Sequence, residues 1–213
     1  MMEYPHVLLG QDINLVGGKP VSDPALVPAL VDDRGWFVTS VERANTREDN
    51  PDPYPYDQTV LEVENQVKRF IELTDGGLPG YLKGHSYGTA TTMRAISDVA
   101  KKYGIPTESD ICDKFNIVWL KMDWLKKPVF RFEDQVSCDV ENLTIDLIER
   151  SVAEGIENMM IVVHAGYLDA TLFDYSGYTA IRYNDLKMIQ SKKLKQRIED
   201  LGIQLVNDCD FLK

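Results

Sequence analysis

The chain has 213 residues, 44% of them hydrophobic and 27% charged, with 23 basic against 34 acidic side chains and a formal net charge of −11. This composition excludes an intrinsically disordered chain and suits a folded protein long enough to bury a core, read as one domain over residues 1–213. The acidic balance argues against nucleic acid or an anionic membrane as partner, because either needs a basic face, and no run of about 18 apolar residues offers a membrane span.

The chain opens Met1-Met2-Glu3-Tyr4-Pro5 and reaches the apolar run Val7-Leu8-Leu9 at once, with no basic stretch followed by a long apolar one. That predicts no signal peptide. Cys112, Cys138 and Cys209 are odd in number and widely spaced, which fits reduced thiols and a cytoplasmic location rather than a disulfide framework.

Leu8 to Leu15 reads as a short strand running into the turn Gly17-Gly18-Lys19-Pro20. Residues 22–34 read as a long irregular loop and Trp36 to Val41 as a second extended piece. Pro51, Pro53 and Pro55 make Asn45 to Tyr56 too proline-dense for a helix and suggest a flap. Asp57 is the expected N-cap of a helix to Leu73, with Val60, Val63, Val67, Phe70 and Ile71 on one stripe. A strand over Tyr81–Lys83 and a helix over Thr91–Tyr103 follow, whereas Ile111 to Lys127 fits helix or loop equally well. A helix over Glu141–Gly155, a buried-type strand over Met159–Val163, a helix over Asn184–Leu201 and a strand over Ile203–Val206 complete the pattern. This alternation predicts an α/β fold with largely parallel strands, in which chemistry gathers at the carboxyl ends of the strands.

Two of the three histidines fall at such ends. His164, in Val163-His164-Ala165-Gly166-Tyr167-Leu168-Asp169, is either a general acid/base or metal ligand, or a histidine that bonds backbone at a loop start. His85, followed by Ser86-Tyr87-Gly88-Thr89, lacks an HxH or HxxxH partner and reads as structural on its local sequence. Asp12 stands within an apolar extended segment, where burial would require a partner, a cation or water. Asp32-Asp33 and Asp208-Cys209-Asp210 read as solvated turns, and His6 as incidental. Tyr167, Tyr175, Tyr178 and Tyr183 suit either stacking on a sugar ring or ordinary packing of a long loop. Arg182 suits a ligand hydroxyl or carboxylate, or an internal acidic residue.

The stretch His164-Ala165-Gly166-Tyr167-Leu168-Asp169, then Tyr178-Thr179-Ala180-Ile181-Arg182, a helix, and Gly202-Ile203-Gln204-Leu205 resembles the YdjC/ChbG-like carbohydrate deacetylases. That family carries HPGY-x-D, Y-T-x-x-R, a helix and G-I-x-L in this order. Gly10 to Leu15, Gly18-Lys19-Pro20-Val21-Ser22, Val27 to Asp32 and Gly35-Trp36-Phe37 are similar to its G-x-H-x-N-L, G-K-P-x-S, V-P-S-L-V-D and G-x-F. The stretch Val63 to Leu73, followed by His85 to Pro106, is similar to its helix, histidine-rich strand end and Y-G-I-P.

The resemblance implies a distorted (β/α) barrel of the polysaccharide-deacetylase type and a divalent metal, Mg²⁺ or Zn²⁺, held by one Asp and two His. It also implies hydrolysis of an N-acetyl group on a sugar or oligosaccharide. It places His85 and Asp12 as metal residues, His164 as the catalytic residue, and Tyr167, Asp169, Tyr178 and Arg182 against the substrate.

The chain departs from the family pattern in four places. No Asp-Asp pair stands upstream of Tyr4, Asp12 replaces a histidine, Lys83 replaces an aspartate, and HPGY is HAGY. The expected complete equipment is therefore reduced, and three readings follow: an active metal-dependent N-deacetylase, a silent relative that binds glycan or serves as a subunit with no metal, and a fragment of a longer deacetylase. An opening strand and helix, roughly a first fifth of the domain, are expected to be missing. A barrel short of one strand exposes two edges, which predicts homo-oligomerisation or rearrangement of the N-terminal segment into the gap.

Overall fold

The computed structural model describes residues 8–39, 52–84, 88–122 and 131–206. The chain divides into two compact units, one drawn from residues up to Lys114 and the other spanning Phe115–Val206.

In the first unit β1 (Gln11–Ile13) pairs in parallel with β2 (Leu82–Gly84), in the register Gln11 with Leu82, Asp12 with Lys83 and Ile13 with Gly84. Between them runs α1 (Tyr56–Leu73), because a parallel pair needs a crossover of a dozen or more residues. Gly10 stands before β1 because the ring of Tyr81 lies where a Cβ would be. The helix starts one residue before the expected cap: Pro55 is its N-cap, and Asp57 lies in the first turn, where a carboxylate suits the positive end of the helix dipole.

Thr59, Glu62, Val63, Gln66 and Val67 form the buried face of α1 at spacings of three and four residues. Val63 and Val67 meet Ile13, Leu30, Leu82 and the buried face of α2 (Ala90–Tyr103), which supplies Ala95, Ile96, Val99 and Ala100. Burial of each Val, Leu or Ile among them is worth about 1.5–3 kcal/mol. A capping box between Thr89 and Thr92 starts α2, and Gly104 ends it in the left-handed conformation at φ 67°. The short helix α3 (Glu108–Phe115) follows, so the ambiguous stretch 111–127 opens as helix only as far as Phe115 and then turns to strand.

The second unit pairs β3 (Ile117–Trp119) in parallel with β4 (Asn158–Met160), Ile117 facing Asn158 and Trp119 facing Met160. Its crossover carries α4 (Phe132–Ser137), which the sequence pattern missed, and α5 (Val140–Ala153), capped by the Asp139 side chain on Asn142 N–H. Beyond β4 come α6 (Ala170–Tyr175), α7 (Ala180–Ile189) and α8 (Lys192–Asp200). Val140, Ile145 and Ile148 of α5 pack with Ile181, Met188 and Leu194 to form this unit's core.

Two expectations change here. The single helix over Asn184–Leu201 is two helices, because the Ser191 hydroxyl accepts from Lys193 N–H and Leu194 N–H, both at 3.1 Å, and so caps a new helix. Ile203–Val206 forms no strand, and Leu205 is 75% exposed. The α/β class with parallel strands holds. Among the described residues the strands form two separate pairs and no closed sheet, so the expected barrel is not seen as such. The possible flap over 45–56 lies largely outside the described residues.

Candidate active site

In the second unit, β4 ends at Met160 and the chain leaves it in irregular conformation, with His164 four residues on and half-buried. The backbone around this histidine is docked on the first turns of α7. Asp185, only 4% exposed, accepts His164 N–H through Oδ2 at 2.7 Å. Arg182, one turn earlier, donates from Nη1 to the His164 carbonyl at 3.5 Å and from Nε to the Tyr178 carbonyl at 3.0 Å. Gly166 N–H donates to the Arg182 carbonyl at 3.1 Å. The Tyr178 ring lies against the imidazole, with centroids 5.8 Å apart and planes tilted by 50°.

A buried amide builds the other wall. Gln135 of α4, 1% exposed, donates to the Gly177 carbonyl at 2.7 Å, and its oxygen accepts from Thr179 N–H at 2.8 Å and Ile181 N–H at 3.3 Å. Asn184 donates to the Gln135 carbonyl at 2.8 Å. This network fixes the segment that carries Tyr178 and Arg182. Burying the Gln135 amide is tolerable because both its ends are satisfied.

Burial pushes the Asp185 carboxyl above the usual carboxylate range, opposed by the His164 N–H, the imidazole and Arg182. Burial, and then Asp185 itself, raise the Tyr178 phenol and the Cys138 thiol, with Asp139 adding to the effect at the thiol. The sequence-nominated His164, Tyr178 and Arg182 therefore stand together. Asp185 was not nominated because an acidic residue within a helix reads as solvated until the fold buries it, and Gln135 was not because its helix was itself missed.

The other nominated residues fall differently. Asp169 is the N-cap of α6, its Oδ1 accepting Leu172 N–H at 2.8 Å. Tyr167 is 78% exposed, and Tyr183 is exposed with the Lys187 ammonium 5.9 Å from its ring centre. The Tyr175 side chain lies outside the described residues.

In the first unit, Asp12 is exposed while its neighbour Ile13 points into the core, so the burial cost expected of Asp12 does not arise. Its register partner is Lys83, whose ammonium lies 3.4 Å from a Glu108 carboxylate oxygen. The pocket at the carboxyl ends of β1 and β2 is lined by Ile13, Leu15, Val16, Gly84, Thr92 and Ile96, none of which offers a carboxylate or an imidazole. His85 lies outside the described residues, and among those described no three His, Cys, Asp or Glu are grouped to hold a metal ion. The described donors do not fit the implied divalent cation: the Lys83 ammonium stands opposite Asp12 and already pairs with Glu108, which makes a poor hard-cation site.

The family model of YdjC-like protein matches residues 2–200. The chain belongs to the YdjC-like family. Among the relatives of this YdjC-like chain, a carbohydrate deacetylase of Thermoanaerobacter pseudethanolicus is 30% identical over 205 residues, spanning 95% of this chain and 77% of the relative. Carbohydrate deacetylase 2 of Listeria innocua is 25% identical, spanning 98% and 79%. A crystal structure of a putative cellobiose-phosphate cleavage protein of Enterococcus faecalis superposes with a TM-score of 0.71 at 20% identity, covering 95% of this chain and 77% of that one. The chain is thus a homologue of carbohydrate deacetylases, and the solved neighbour shares its fold.

Proposed function

We propose that this YdjC-like chain removes the N-acetyl group of an acetylated sugar by hydrolysis, with His164 as the proton carrier. The observation that carries this reading is the docked His164 loop at the end of β4, in a homologue of carbohydrate deacetylases. Water adds to the acetamide carbonyl while the imidazole takes its proton, and the tetrahedral carbon then loses the amine. As the carbon–nitrogen bond breaks, the same imidazole returns the proton to nitrogen, so acetate and a free amino sugar leave. Tyr167, exposed in the same loop, offers a face for the sugar ring, and Tyr178, Arg182 and Asp169 border the site. Asp12 and His85 would supply one carboxylate and one imidazole to the implied divalent cation, and Lys83 opposite Asp12 disfavours it there. The distorted (β/α) barrel belongs to the same proposal.

Mass spectrometry of N,N′-diacetylchitobiose incubated with the protein tests the reaction class. The expected product has lost one acetyl group and kept its glycosidic bond. Intact sugar, even with saturable binding in calorimetry, overturns the reading in favour of a silent glycan-binding relative, and glycosidic cleavage overturns it in favour of a different hydrolase.

A further inference from the structure

Both peptide groups of His164 are held by a single helix. The N–H goes to Asp185 Oδ2 at 2.7 Å and the carbonyl receives Arg182 Nη1 at 3.5 Å, from side chains three residues apart on α7. Residues at that spacing share a helix face, so an anion and a cation flank one residue of the loop. Both side chains turn away from their own helix: Asp185 reaches the His164 N–H, and Arg182 reaches the His164 carbonyl and the Tyr178 carbonyl just before α7. Burying a carboxylate for one backbone hydrogen bond is costly, and a neutral amide would serve the same bond at lower cost. The charge itself therefore needs a use.

We infer that Asp185 is a positioning residue which, with Arg182, clamps the His164 backbone and balances the charge of its imidazole. An anion favours the imidazolium and a cation the neutral ring, so the pair sets opposite charges beside the ring that takes and returns the proton. The remaining ionisable groups of this neighbourhood leave that balance to the pair. The Tyr178 phenol against the ring and the Cys138 thiol beside Asp185 are both raised and stay neutral near pH 7, and Asp139 is held by Asn142 at the start of α5. The inference rests on the reading of His164 as proton carrier, and it is tested without turnover.

Histidine side-chain NMR titration of the full chain resolves three imidazoles, assigned with His6→Gln and His85→Gln. Asp185→Asn keeps an acceptor for the backbone N–H and removes the charge, and is expected to lower the His164 midpoint by about one pH unit. Arg182→Gln keeps donors for the two carbonyls and is expected to raise it. Opposite movements support the clamp. An unmoved midpoint in Asp185→Asn, or movement in the same direction in both variants, overturns it. Should Asp185→Asn fail to fold, the direction in Arg182→Gln decides alone: a rise supports the clamp, and no rise overturns it. Failure of the deacetylase reading shows separately, as absence of acetate release by the unaltered protein.

Discussion

At the scale of single residues, the chain separates what folds it from what acts. Glu62 is fully buried, yet both its oxygens are used: Val21 N–H and Ser22 N–H each donate to it at 2.9 Å, and the Gln66 amide at 2.9 Å. Glu62→Ala strands two backbone donors and should cost roughly 3 kcal/mol in urea unfolding; a loss below half that would show the loop is held by other means. Lys83 opposite Asp12 is the residue that most disfavours a cation at that strand end. Lys83→Asp replaces a repelling ammonium with a second carboxylate and is therefore expected to tighten Mn²⁺ binding by about tenfold or more in calorimetry, equivalent to about 1.4 kcal/mol. Unchanged affinity would mean that this register does not govern cation binding.

At the scale of elements, α1 and α2 are tied across their exposed faces by Glu64, which accepts from Lys102 at 2.8 Å and pairs with Lys68 at 2.9 Å. These hydrogen bonds, Lys102 first, hold its carboxyl down to about 2. A carboxyl depressed on folding stabilises the fold above its unfolded value and loses that contribution as pH falls toward 2. Melting temperatures of Glu64→Gln should thus lie below those of the parent protein at pH 7 and converge with them near pH 2. A constant gap across that range would contradict the linkage.

The same elements show why some of the fold was legible and some was not. The stripe through Val63 and Val67 writes α1 locally, and α2 was legible to within one residue of its observed start. The break at Ser191 was not legible because no Gly or Pro marks it; the Ser191 hydroxyl also donates to the Glu141 carboxylate 50 residues away, and only the fold brings that partner. His164, Tyr178 and Arg182 were legible from the motif order. Asp185 and Gln135 were not, because their work depends on partners 21 and 44 residues distant.

At the scale of the whole molecule, the chain carries parallel strand pairs linked by helices, and kinship with carbohydrate deacetylases across 95% or more of its length. Among the described residues both sheets have only two strands; Leu82 of β2 is covered on its far side by a bridge to Thr107, and any edge that stays open favours pairing with another copy. Light scattering is expected to give a mass above that of one chain, and a monomer at all concentrations would contradict this. No helix among the described residues is long and apolar enough to cross a membrane. The most direct test compares acetate release from N,N′-diacetylchitobiose by the parent protein and by His164→Ala, each checked for folding by circular dichroism. Release by the parent and a loss of at least about a hundredfold in the variant are expected, the usual scale for a proton carrier. Equal rates in the two proteins, or no acetate from either, would contradict it.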